Sequence, residues 1–233
     1  MIRQSLIIAS ALIAMLIAGV LTGCEKEGSE STPPSSASAP SESDMQADQE
    51  MDMQAGENLH GNFVHKELVV LDDPVEVPTE FTTALGQMYQ HYRQIARALV
   101  GDDSEAADEA AQRMREHVED LVAEELDAEA EGAWQSHRTG LRTGLHQLTS
   151  AESIEDKRGH FSHVSEAMYC ALKSFGGVDE EVFVAYCPMA AGGHGAYWLA
   201  DQPTIENPYM GQEMVACGEV KETIRGRSQD DGN

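Results

Sequence analysis

Positive charge is what this chain has least of. Its 15 lysines and arginines stand against 41 acids, giving a formal net charge of −26 and a pI near 4.5. Nucleic acid, whose phosphates need a basic face, is excluded as a partner. A surplus of one sign keeps a protein dispersed, accounts for most of these acids, and suits a cation-attracting exported protein. Catalytic patterns are also missing. There is no Ser-His-Asp order, no phosphate-cradling glycine loop and no HExxH, so no enzyme class is indicated. Without CxxCH there is no covalent haem. No Glu-x-x-His pair recurs on two helices, which disfavours a di-iron bundle. Cys187 with His160 or His163 is a conceivable thiol–imidazole pair, but no spacing rule places them together. Cysteine itself is sparse, four in 233 residues.

Long apolar runs are confined to the N-terminus. Leu6 to Val20 follows Arg3 and has the length of a signal-peptide core, short for a membrane span. It ends in Leu21-Thr22-Gly23-Cys24, which resembles the bacterial lipobox. Residues 1–23 are therefore expected to be a lipoprotein signal peptide, with Cys24 lipidated. The mature chain would be exported, periplasmic or at the outer surface, and held to a membrane through its N-terminal lipid. Residues 24–62 are mainly Ser, Pro, Ala, Gln, Met and acids, too polar to offset chain entropy, and predict a disordered linker. Met51 and Met53, with His60 and His65 downstream, offer transient soft-metal capture; incidental placement is the preferred reading. Residues 226–233 are expected to be a disordered tail.

Between them, residues 63–225 predict one mainly α domain. Leu68-Val69-Val70-Leu71 is a short strand or an extended lead-in. Four amphipathic patterns follow. Phe81, Leu85, Met88, Tyr92, Ile95 and Leu99 form the first stripe, with Thr79 placed to cap it and Gly101 to end it. The second starts after Asp103 or Ser104 and runs through Met114 and Val118 to Leu121 and Val122. The third carries Trp134, Leu141, Leu145 and Leu148. The fourth runs from Ile154 to Phe175 and stops at Gly176-Gly177. Short turns join them, so an up-down four-helix bundle is expected. His91, His117, His137 and His146 read as surface or rim residues.

The stretch 186–220 differs in kind. Cys187-Pro188-Met189 opens it, Met214-Val215-Ala216-Cys217 closes it, and glycines and prolines break up the interior. No helical or strand period is long enough for an ordinary element, so an irregular segment packed on the bundle is expected. Thiolate and thioether sulfurs are soft donors that select Cu(I) and related ions. Cys187, Met189, Met214 and Cys217 are the candidate metal ligands, with His194 a less secure addition. Trp198 reads either as a cation–π shield over the ion or as a hydrophobic plug, the plug being preferred. A Cys187–Cys217 disulfide fits the same spacing, since exported chains are oxidised. It would leave Cys170, packed within the fourth helix, as the odd thiol. Both readings require the two sulfurs to meet.

Tyr186-Cys-Pro-Met189, Gly195-Ala-Tyr-Trp-Leu199, Ile205-Glu-Asn-Pro-Tyr-Met-Gly211 and Met214-Val-Ala-Cys-Gly-Glu-Val220 resemble an exported bacterial family, domain-of-unknown-function family 3347. Arg158-Gly-His-Phe-Ser-His-Val-Ser165 resembles its last-helix pattern. The resemblance runs from about Phe81 to Ile224. Members of that family also occur fused to the periplasmic adaptors of heavy-metal efflux systems. The resemblance therefore implies a link to metal efflux or homeostasis, with a heavy-metal efflux adaptor or metallochaperone as partner. This chain lacks room for the β-rich domains of an adaptor and is not expected to be one itself. The alternative is an envelope interaction module in which the cysteines serve only as a staple.

Overall fold

A computed structural model describes residues 59–71, 75–123 and 126–225. The expected signal peptide, Cys24, Met51, Met53 and the tail after residue 225 lie outside the described residues, as does most of the expected linker. The packed body already includes Leu59, which is buried, four residues ahead of the expected boundary.

Four helices make the body: α1 (Thr79–Val100), α2 (Ser104–Asp120), α3 (Ala128–Ser150) and α4 (Ile154–Phe175). Each packs on the next, and α1 on α4 closes the bundle. The whole first stripe, Phe81 to Leu99, is buried. Three helices begin on side-chain caps. Asp103 accepts from Ala106 N, Asp127 from Glu129 N and Ala130 N, and Ser153 from Asp156 N. Such caps satisfy amide groups that the first turn leaves unpaired. The expected Thr79 cap is corrected. Thr79 is the first helical residue, Pro78 precedes it without a side-chain bond, and the Thr79 carbonyl accepts the hydroxyls of Thr82 and Thr83. Helix α2 ends at Asp120, so Leu121 and Val122 lie beyond it. His137 is also corrected, being fully buried with Nε2 on the Val69 carbonyl.

The expectation of an irregular C-terminal segment holds only in part. Strands β1 (Val182–Cys187), β2 (Ala196–Ala200) and β3 (Glu219–Ile224) form an antiparallel sheet in the order β2-β1-β3. These strands are short and separated by glycine and proline, which hid their period. Val-Phe-Val-Ala-Tyr is nonetheless a β-branched and aromatic run of the kind that suits a central strand. A short helical turn, α5 (Ala190–Gly193), links β1 to β2, and the connection from β2 to β3 is irregular apart from a 3₁₀ turn at Gly211–Glu213.

Helix α4 sits between bundle and sheet, and most of its side chains are buried. From β3, Glu222 accepts from Tyr169 Oη at 2.8 Å and from Lys173 Nζ at 2.7 Å. The free edge of β2 is covered by tyrosines rather than by another strand. Leu199 N donates to Tyr92 Oη at 3.0 Å, and Tyr209 Oη donates to the Tyr197 carbonyl at 2.5 Å. The Ser165 hydroxyl meets both phenols, at 2.8 Å and 3.2 Å. Burial pushes the ionisation of Tyr92 and Tyr209 far above that of a free phenol, so both act as neutral partners. Unpaired strand edges invite foreign strands, and this network removes the invitation.

The lead-in is an extended strap, not a strand. Phe63 packs edge-on to Tyr169 with ring centres 5.0 Å apart. The buried carboxylate of Glu166 accepts from Val64 N at 2.9 Å, His65 N at 3.0 Å and His65 Nδ1 at 2.6 Å.

Candidate metal centre at the end of the sheet

Strand β1 ends at Cys187, and β3 begins two residues after Cys217. Their antiparallel register pairs Tyr186 with Glu219, so the next step faces Cys187 toward Gly218, the neighbour of Cys217. The two residues are free thiols, placed near enough for Cys187 to act directly on Cys217. The interaction with Cys187, then burial, then the charge of that partner push the Cys217 thiol up to about 11. Cys187 is fully buried and Cys217 half-buried, so the pair has one open side.

The turn before Cys217 is closed, with Cys217 N donating to the Met214 carbonyl at 3.0 Å. Met214 is 37% exposed at this turn. Met189 is 53% exposed. It opens onto a cavity of about 650 Å³ that it shares with Met210, not with Met214. His194 is exposed at the end of α5. Among the described residues no group of three or more His, Cys, Asp or Glu could hold a metal. The cysteine pair therefore gains neither His194 nor a carboxylate as a third ligand, and a soft ion here would rest on two thiols with thioethers to supplement them.

Trp198 is buried at 2% exposure and packs edge-on to Tyr209 at 6.1 Å. A Cβ on Gly218 would lie 2.7 Å from the Trp198 ring, and Gly218 has a φ of +134°. The indole thus fills the space behind the cysteine-bearing turn. Cys170 is fully buried in α4, where burial and the nearby Glu166 push its thiol strongly up. His163 stacks on His65 with ring centres 3.6 Å apart and is not paired with Cys187.

Asn207, Arg158, Ser165 and Met210 matter here and were not singled out from the sequence as site residues. Fully buried Asn207 donates through Nδ2 to the Cys217 carbonyl at 2.7 Å and accepts from Tyr209 N at 2.8 Å. The second bond is an Asx turn, and Asn-Pro is a recognised turn dipeptide, so a signal existed. Arg158 donates from Nε to the Pro208 carbonyl at 3.1 Å and from Nη2 to the Leu99 carbonyl at 2.8 Å, and it pairs with Asp102. Phe161 packs on Tyr92 and Tyr209. Arg158, Phe161, Ser165 and Tyr169, spaced by three and four, form the stripe of α4 that receives the C-terminal segment.

These features define a class: a four-helix bundle whose last helix carries a small sheet ending in a paired thiol. Residues 88–180 match the model for a family described as "Protein of unknown function (DUF3347)", and the resemblance to that family is shown over this span. The match covers α2, α3, α4 and most of α1. It stops before Tyr186, so the cysteine–methionine segment falls outside it. No curated protein and no solved structure matches the chain.

Proposed function

We propose that this chain is an exported, lipid-anchored protein that binds Cu(I) or a similar soft ion through Cys187 and Cys217, in service of metal efflux or homeostasis. The observation that carries the reading is the placement, by the β1–β3 register, of two free thiols side by side at the end of β1 and just ahead of β3. Two soft sulfurs held together in a half-buried turn suit an ion that accepts few ligands. Binding would displace the thiol protons, so affinity should rise with pH. Export and anchoring rest on the Leu-Thr-Gly-Cys24 sequence. A heavy-metal efflux adaptor or metallochaperone as partner rests on the family context. Competition of the reduced protein with a Cu(I) chelator under anaerobic conditions tests the reading. One tightly held ion per chain is expected, lost in a Cys187→Ser, Cys217→Ser variant. Equal binding by that variant removes the proposal.

The same proximity favours a second reading, a structural Cys187–Cys217 disulfide in an envelope interaction module, contributing about 2–4 kcal/mol. Mass spectrometry of the protein as isolated distinguishes the two: a quantitative, metal-insensitive bridge supports the staple.

A further inference from the structure

Methionine is usually a core residue, and one left half open to water calls for a reason. Met189 is such a residue, and the cavity of about 650 Å³ beside it also exposes Met210. The cavity lies between the N-terminal turns of α4 and the loop after β2. Three carboxylates line it, from Asp102, Glu155 and Glu213, against the single guanidinium of Arg158. That guanidinium is engaged by Asp102, by Glu155 at 3.9 Å and by two main-chain carbonyls. The field inside is thus cation-attracting, with two neutral soft donors in the wall.

Both methionines are tied to the thiol pair. Met189 stands two residues beyond Cys187. Met210 rides on the loop that Asn207 fastens to the Cys217 carbonyl. That loop is rigidly held. Arg158 holds Pro208, and Gln212 Nε2 donates to the Val100 carbonyl at 2.8 Å. Gly211, at a φ of +56°, leaves no space for a Cβ against Arg158.

We infer that Met189 and Met210 form a thioether capture site for a soft monovalent cation, from which the ion passes to Cys187 and Cys217. The inference deepens the dithiol reading and rests on it for the ion's destination, but not for its capture. Thioethers carry no proton, so capture releases none, and it does not change with pH where the lining carboxylates stay ionised. In the transfer, Cu(I) leaves two neutral sulfurs and bonds to two thiolates. Two protons go to solvent, and the copper stays in the same oxidation state.

Silver(I), a soft ion with no redox chemistry here, is the probe. It is titrated into the Cys187→Ser, Cys217→Ser protein while the methionine methyl groups are followed by NMR. The methyls of Met189 and Met210 should shift together with one ion and with the same affinity in mildly acid and mildly alkaline buffer. The methyl of Met214 should stay still. Adding Met210→Leu should weaken binding about tenfold or more. Unchanged spectra elsewhere show that the fold is intact. Stationary Met189 and Met210 methyls, or a Met189 shift undiminished by Met210→Leu, overturns the inference. A double serine variant that binds as tightly as wild type, with both methyl shifts present, supports the thioether site and removes the dithiol reading.

Discussion

The side-chain amide of Asn207 donates to the main-chain carbonyl of Cys217 at 2.7 Å, and its own carbonyl takes the amide of Tyr209 at 2.8 Å. One buried side chain thereby fixes the cysteine turn to the loop that covers the edge of β2. Asn207→Ala strands both main-chain groups away from water and should cost on the order of 2–4 kcal/mol. Chemical denaturation measures that loss. The same variant should label faster at Cys217 with a thiol reagent, because the turn loosens locally.

Gly218 sets the gap between the cysteine turn and Trp198. An added Cβ would lie 2.7 Å from the indole and 2.9 Å from the Tyr186 carbonyl, at a φ that side chains avoid. Gly218→Ala should destabilise by about 1–3 kcal/mol and shift the Trp198 fluorescence. A variant indistinguishable from wild type in both would contradict the packing described.

Glu166 holds the strap. Its buried carboxylate accepts from two main-chain amides and one imidazole. Glu166→Ala leaves all three donors without their acceptor and should destabilise by roughly 3–5 kcal/mol. Hydrogen exchange should show protection lost first over the segment from residue 63 to 71, ahead of the helices.

The pH dependence follows from His163. Burial, with stacked His65 and then His160 as lesser causes, pushes it down to about 4, against a smaller upward pull from Glu67. A histidine depressed on folding is protonated more readily in the unfolded chain. Its contribution is complete above the ordinary value of 6.5 and is lost as pH falls from there toward about 4. The full span is worth about 3 kcal/mol. His163→Gln should flatten this part of the stability profile, seen as a smaller drop in melting temperature on acidification. A variant with the wild-type acid slope would contradict the assignment.

Helices α1, α2 and α3 were legible because each buries one stripe for about five or six turns, over which period 3.6 accumulates, and α4 because its apolar positions keep that period although most of its faces are covered. Phe81 through Leu99 is the clearest case. The sheet was not, because Ala196–Ala200 spans only five residues and its neighbours are glycines and polar turns. Five residues give two or three alternations, too few to separate from loop. His137 was misplaced for a related reason: a polar residue on a core stripe reads as exposed until its partner, here the Val69 carbonyl 68 positions away, is known. The meeting of Cys187 and Cys217 was foreseeable as a requirement of either sulfur chemistry. That Met189 shares its cavity with Met210 depends on the course of the loop after β2, which no local spacing encodes.

The central claim is that Cys187 and Cys217 hold one soft ion jointly. The most direct test is Cu(I) affinity, by anaerobic chelator competition, across the wild type, Cys187→Ser, Cys217→Ser and the double variant. Two ligands of one ion act as a unit, so each single variant should fall as far as the double. Single variants that retain wild-type affinity, or losses that simply add to give the double, would contradict the account.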